Sequence, residues 1–273
     1  MRCYIMPQKK SKTTASSQKV ISDNTFVLIE YTAREKETGK VFDTTSEEVA
    51  KKEKIYDEHD VYGHKLVIIG EGWFLKGFED RLKNLKENEE KEFEIPPEEA
   101  FGPRDPSKIE HISLKKFVRE GIDPKPGMQV RIGNRVGTVL RVGAGRVTVD
   151  FNHPLAGKTL SYSVKVVKII DNDVEKVKHL VKRRISDLEL DKINITFNKS
   201  ELDIMLPDDV LYQRDVEIAK RGIARDIFKY FPQIKVIRFI EEIKKEEPQA
   251  EEEGKKEANE EAKAKNTEAK KEA

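Results

Sequence analysis

Cysteine is almost missing from this chain: Cys3 is the only one in 273 residues. A lone thiol closes no disulfide within the chain, so stability must come from packing, and a reducing, cytoplasmic setting is expected. No run approaches the roughly 18 consecutive apolar residues of a membrane span. The first twenty residues carry Lys and Arg but no apolar h-region, so they do not read as a secretory signal. A charge excess of either sign is also missing. Lys and Arg number 52 against 51 Asp and Glu, a formal net charge of +1. No chain-wide basic field marks a general nucleic-acid binder. Histidine is scarce, at five. His59 and His64 bracket Asp60-Val61-Tyr62-Gly63, which reads as a surface loop rather than a metal site, and no metal or cofactor is expected. Gly70-Glu71-Gly72 and Gly143-Ala144-Gly145 are turns, because no helix-opening Gly-x-Gly-x-x-Gly follows a strand.

Hydrophobic residues make up 37% of the chain and charged residues 38%, low and high for one compact domain. The excess charge sits in the tails, and the length suits two or three domains. Residues 1–22 are polar and without periodicity, with Met6 as an alternative start to Met1. Residues 244–273 are almost wholly Glu, Lys and Ala. Neither tail has an apolar stripe that could pack, and both are expected to be disordered. Between them lie three units. The first is residues 23–103 together with 151–170. The second is residues 104–150, inserted into the first. Here His111 to Arg119 reads as a short helix, and Met128 to Ile132, Gly137 to Val142 and Arg146 to Val149 read as strands joined by glycine turns. The third is residues 171–243. A helical stripe through Val174, Val177, Leu180, Val181 and Ile185 precedes strands at Ile193–Phe197 and Leu202–Leu206. A helix then starts at Pro207 and runs through Phe228, and a strand closes Ile234 to Ile240. That order suggests an α+β sandwich.

The most telling stretch is residues 150–168. A turn from Asn152 to Gly157 leads into strict alternation: Leu160, Tyr162, Val164 and Val166 on one side, Ser161, Ser163, Lys165 and Val167 on the other. Period two is a strand with one buried face. Two further segments stand beside it. Phe26 to Thr45 is a strand containing Tyr31, a turn at Glu37-Thr38-Gly39, and a strand ending in Phe42-Asp43. Residues 66–102 hold Leu66-Val67-Ile68-Ile69-Gly70, then Phe74-Leu75-Lys76-Gly77-Phe78-Glu79, then Ile95 through Ala100-Phe101-Gly102.

In order and spacing these segments resemble the FKBP-type peptidyl-prolyl cis-trans isomerases, in particular the SlyD-like branch. There an Asn-His-Pro-Leu-Ala-Gly-Lys turn returns the chain from an inserted domain. The resemblance covers about residues 25–170 and is closest to long-type archaeal members, which add a C-terminal domain. It implies an α+β fold: an FKBP antiparallel half-barrel with a short helix, an inserted small β-rich flap domain, and the C-terminal α+β sandwich. It also implies a catalytic cleft of Tyr31, Phe42, Asp43, Phe74, Leu75, Phe78, Phe101 and Tyr162. Val67 and Ile69 on that cleft, and Leu114, Phe117, Met128, Val130, Ile132 and Val139 of the insert, are implied as substrate-binding residues. Taken without the resemblance, each apolar member of the set is simply core. Phe101 departs from the family pattern: most relatives carry Tyr there, whose hydroxyl bonds a ligand carbonyl. Trp73 is expected at the rim of the short helix.

The expected activity is rotation of X–Pro bonds in unfolded or proline-containing polypeptides, with the insert holding the chain. A homodimer through the third unit is expected, because its last strand carries apolar groups on both faces. Two rival readings stand beside this one. The first is a holdase or peptide-binding module with little turnover. The second is a ribosome- or RNA-associated factor using the third unit.

Overall fold

The computed structural model describes residues 19–211 and 214–242. Cys3, the choice between Met1 and Met6, and the Glu/Lys/Ala tail lie outside the described residues, but the end of the N-terminal stretch expected to be disordered is ordered: Ile21 is buried in the core and donates its N–H to Leu85 O at 3.0 Å. The chain divides into two compact units, residues 1–179 and 180–273.

The first unit is built on β1 (Phe26–Glu35) and β9 (Leu160–Ile170), which pair antiparallel along their whole length. β2 (Val41–Thr44) and β3 (Lys65–Ile68) share the other edge of β1, and β4 (Glu90–Ile95) flanks β9. Alternation does the work here. Val27, Ile29, Tyr31 and Ala33 of β1 and Leu160, Tyr162, Val164 and Val166 of β9 enter one core. A register shift opposite Leu28 and Ile29 takes up Val167 as an extra residue, after which Ile169 and Ile170 are both buried. Helix α1 (Glu47–Lys52), capped by Ser46, follows β2, and α2 (Lys76–Leu82) follows β3. Trp73 is half-buried just ahead of α2.

The insert is a four-stranded antiparallel sheet in the order β5-β8-β7-β6, from β5 (Ile109–Ser113), β6 (Gln129–Ile132), β7 (Arg135–Gly143) and β8 (Arg146–Asp150). Helix α3 (Leu114–Arg119) follows β5 directly. The helix expected from His111 therefore begins three residues later. His111 to Ser113 pair with β8, His111 Nδ1 lies 3.1 Å from Thr148 Oγ1, and Ser113 is still extended. Ladder pairing overrides the local helical pattern. Phe117, Val130, Ile132, Val139, Val147 and Val149 form the insert's own core. Gly137 is required by the close approach of β8, since a Cβ there would sit 2.6 Å from Val149 Cγ1.

Two chain crossings join insert and half-barrel, and a polar knot ties them. Arg104 Nε lies 2.8 Å and Nη2 2.6 Å from Asp150 Oδ2. The Asn152 side chain accepts from Asp105 N and donates to Asp105 O and Asp150 Oδ1.

Helix α4 (Asp173–Arg184) contains the boundary between the two units. In the second unit β10 (Asn194–Asn198) pairs antiparallel with β11 (Glu201–Met205), and β12 (Val236–Ile240) pairs parallel with β11. Parallel pairing needs a crossover. It is made of α5 (Asp208–Leu211) and α6 (Val216–Tyr230), not the single helix expected from Pro207; Asp215, at φ 65°, is left-handed between them. Leu202 and Ile204 face the core, where Ile223 and Ile227 are also fully buried. On the other face Arg238 Nη1 bonds Glu201 at 2.7 Å and Asp203 at 3.3 Å. That face is therefore charged as well as apolar, which removes much of the argument for a second cover. Val236 is its large exposed apolar group, at 41%.

Candidate active site

The inner face of the half-barrel gathers aromatic rings around Phe78. Gly77 lets α2 approach the sheet, for a Cβ there would lie 2.9 Å from Ile95 Cγ2. Phe78 is fully buried, and its ring centroid lies 4.9 Å from Tyr162, 5.0 Å from Phe74, 5.7 Å from Phe93 and 5.9 Å from Tyr31. Phe42 meets Tyr162 edge-on at 6.2 Å. Phe42, Phe74, Leu75, Phe93, Ala100, Phe101 and Leu155 are half-buried against this core, so they form the cleft walls. Val67 and Ile69 are fully buried behind it.

The polar groups are few. Tyr31 OH donates to Asp43 Oδ2 at 2.7 Å, and Lys65 Nζ reaches the same hydroxyl at 3.5 Å. Asp43 itself is exposed at the rim. Burial, and then the Asp43 charge, push both the Tyr31 and the Tyr162 phenols far above their ordinary range. Both therefore stay protonated; Tyr31 donates its hydrogen to Asp43, and Tyr162 keeps one to donate.

Of the expected cleft set, Tyr31, Phe42, Asp43, Phe74, Leu75, Phe78 and Tyr162 come together around one centre. Phe101 packs on the same core, but its ring stacks on His153 of the returning turn, at 4.1 Å and 8° between planes. Two residues were missed by sequence reasoning. Phe93 stacks on Tyr162 at 5.9 Å, across the β4–β9 ladder. Its signal was the alternation of Phe93 and Ile95 among charges. Glu79 is buried, and its carboxylate accepts the N–H groups of Gly70, Gly72 and Phe74, which fixes the loop that presents Phe74. A Glu facing the core one position after Phe78 was the available hint.

The insert set divides differently. Phe117, Val130, Ile132 and Val139 are 0–9% exposed inside the insert, and Leu114 is half-buried there. Those four hold the insert together and offer no open surface for a substrate. Met128, at 41%, is open, as are Val118 at 66%, Val136 at 53% and Leu140 at 40%.

A second concavity, of about 670 Å³, lies on the outer face of the sheet, lined by Glu30, Thr32, Glu92, Ser163 and Tyr62 among others. Its lining carries many polar side chains, several of them engaged: Glu30 lies 2.9 Å from His64 Nε2, and Lys165 pairs with Glu90 at 3.1 Å.

An aromatic cleft with a hydrogen-bonded carboxylate at its edge can hold an apolar group of a ligand away from water and fix a polar group beside it. Comparison with known proteins makes the class specific. The family model for FKBP-type peptidyl-prolyl cis-trans isomerase matches residues 17–116, that for the FKBP26 IF domain residues 111–155, and that for the FKBP26 C-terminal domain residues 173–244. A short-type peptidyl-prolyl cis-trans isomerase of Methanocaldococcus jannaschii is 39% identical over 128 residues, 47% of this chain and 82% of that protein. A probable FKBP-type 16 kDa isomerase of Pseudomonas fluorescens is 34% identical over 106 residues, covering 37% and 69%. The SlyD isomerase of Treponema pallidum is 32% identical over 150 residues, covering 54% and 76%. The chain belongs to the FKBP-type peptidyl-prolyl cis-trans isomerase family, and it is an isomerase of that type.

Proposed function

We propose that this protein is a folding helper whose aromatic cleft turns X–Pro bonds in unfolded polypeptide while the insert holds the chain nearby. The planar amide is strongly dipolar, and its rotational barrier is about 18–20 kcal/mol. The twisted transition state has lost resonance and much of that dipole. An apolar cleft therefore disfavours the ground state more than the transition state. A thousandfold acceleration asks for only about 4 kcal/mol. The rings around Phe78 suit a pyrrolidine ring, and Asp43 and Tyr31 are placed to fix the flanking peptide.

The observation that carries the chaperone part is the exposure of Val118, Met128, Val136 and Leu140 on an insert whose own core is already complete. Val118 on α3, Met128 just ahead of β6, and Val136 and Leu140 on β7 are the open apolar groups that we read as the contact points for unfolded chain. Tethering them to the cleft raises the local concentration of X–Pro bonds. We take the isomerase domain as residues 23–103 with 151–170, the insert as 104–150 and the C-terminal domain as 171–243, and we place the protein in the cytoplasm. Among the described residues no helix is long and apolar enough to cross a membrane. The C-terminal domain is read as a homodimer surface through the exposed Ile218 and Phe228 of α6.

The test is refolding of a protein limited by proline isomerisation, with the intact chain and with a chain whose residues 104–150 are replaced by a short loop. Acceleration of refolding should fall at least tenfold on removal of the insert, with tetrapeptide isomerisation unchanged. Equal refolding by both proteins removes the holding role. Refolding arrest without tetrapeptide turnover by the intact chain favours a holdase.

A further inference from the structure

The cleft holds two protonated tyrosines with different commitments. The Tyr31 hydroxyl is engaged, donating to Asp43 and accepting from Lys65. The Tyr162 hydroxyl makes no hydrogen bond among the described residues. No fully buried side-chain polar atom there lacks a partner, so this unbonded hydroxyl is not fully enclosed, and the charge of Asp43 at the cleft rim acts on it. Its ring lies among Tyr31, Phe42, Phe78 and Phe93, where an apolar substrate ring would sit. Phe101 brings no donor to the opposite wall.

We propose that the Tyr162 hydroxyl donates to the prolyl nitrogen as the X–Pro bond twists. The argument follows the electrons. In the planar amide the nitrogen lone pair is delocalised onto the carbonyl oxygen, and the nitrogen is no acceptor. Rotation breaks that overlap and returns the pair to nitrogen. A donor aimed at nitrogen is therefore rewarded in the transition state alone. A donor on the rotating carbonyl would have the opposite effect, because that oxygen is the better acceptor when the bond is planar. The pyrrolidine ring is the apolar part of the substrate and belongs among the rings, which leaves its nitrogen as the polar atom nearest the floor. No covalent bond forms or breaks, and the proton stays on Tyr162. Burial and Asp43 together oppose its loss.

The proposal rests on the cleft being the site of turnover, and the experiment separates the two. Tyr162→Phe removes one oxygen and keeps the ring. With an X–Pro tetrapeptide, kcat should fall about two- to tenfold, the worth of one hydrogen bond, with KM unchanged. Unchanged kcat overturns the proposal, and so does a rise in KM alone, which would assign the hydroxyl to a flanking carbonyl. The rival donor is His153. Its Nδ1 accepts Leu155 N–H at 3.2 Å, so Nε2 carries the hydrogen. His153→Phe keeps a ring against Phe101 and removes that donor; a greater kcat loss there than in Tyr162→Phe puts the donor at the rim and overturns the proposal. Phe78→Leu reports on the cleft itself. If it lowers kcat/KM while Tyr162→Phe does not, only the donor assignment fails. If neither variant changes turnover, the cleft assignment fails as well. Matching circular dichroism spectra and urea midpoints between Tyr162→Phe and the parent exclude a folding artefact.

Discussion

Phe78→Leu is the sharpest perturbation of the cleft. Phe78 is 0% exposed and touches four other rings. Truncation to Ala would cost about 3–5 kcal/mol, a large share of a total near 5–15 kcal/mol, and would risk confusing unfolding with lost chemistry. Leucine keeps most of the volume. A volume-conserving swap costs under about 1.5 kcal/mol. The lost ring–ring geometry, about 0.5–1.5 kcal/mol per pair and not additive, pushes the total to about 2 kcal/mol. The variant should therefore fold, with a lower urea midpoint. Activity should fall further than stability suggests, because we propose that the buried Phe78 supports the half-buried rings of Phe74 and Phe93, against which the substrate is desolvated. A loss of about 1.4 kcal/mol in transition-state stabilisation is tenfold in kcat/KM. Protease-coupled isomerisation of an X–Pro tetrapeptide, run well below the unfolding midpoint, should show a drop of about that size or more. A lowered midpoint with kcat/KM within twofold of the parent would show that Phe78 is core only, and would refute the supporting role.

Phe101→Tyr adds a hydroxyl to the Ala100-Phe101-Gly102 loop, and titration should show macrolide-type inhibitors binding more tightly by about 0.5–1.5 kcal/mol. Serine at Met128 and Leu140 should weaken capture of unfolded chain in a light-scattering aggregation assay and leave tetrapeptide turnover intact. Burial alone would raise the Asp150 carboxyl, but the N–H donors of Asn152 and the Arg104 guanidinium outweigh it and hold the group below the ordinary aspartate range. A depressed carboxyl contributes stability that is present above its unfolded value and lost as pH falls through its folded value. The neck between insert and half-barrel should thus loosen below about pH 4. Limited proteolysis by an acid protease should then cut near residues 103–108, while Asp150→Asn should already be cut at neutral pH by a neutral protease and vary little with acid. For the dimer, multi-angle light scattering of residues 21–245 at tens of micromolar should give twice the monomer mass, and a monomer mass would remove that reading.

The half-barrel was readable in the sequence because its strands bury one face. The alternation of Leu160, Tyr162, Val164 and Val166 specifies both strand and inward side, and the core uses all four. Hydrophobicity could not tell Phe117 or Val139 from Met128, since burial inside the insert and exposure for a partner draw on the same residue types. Charged neighbours hid Phe93 within Glu90–Ile95. The tie between Arg104 and Asp150 joins residues 46 apart, which no local period encodes. Helix and strand were confused at His111 because the competing term, pairing with β8, is tertiary.

The central claim is that X–Pro bonds turn in the ring-lined cleft. Two-dimensional exchange NMR of an X–Pro tetrapeptide, with assigned aromatic signals of the protein, tests it directly. Cis–trans exchange peaks should appear at catalytic protein concentration, and titration to excess peptide should shift the rings of Tyr31, Phe42, Phe74, Phe78 and Tyr162. Absence of exchange, or shifts confined to Tyr62 in the outer groove lined by Glu30 and Ser163, would contradict it.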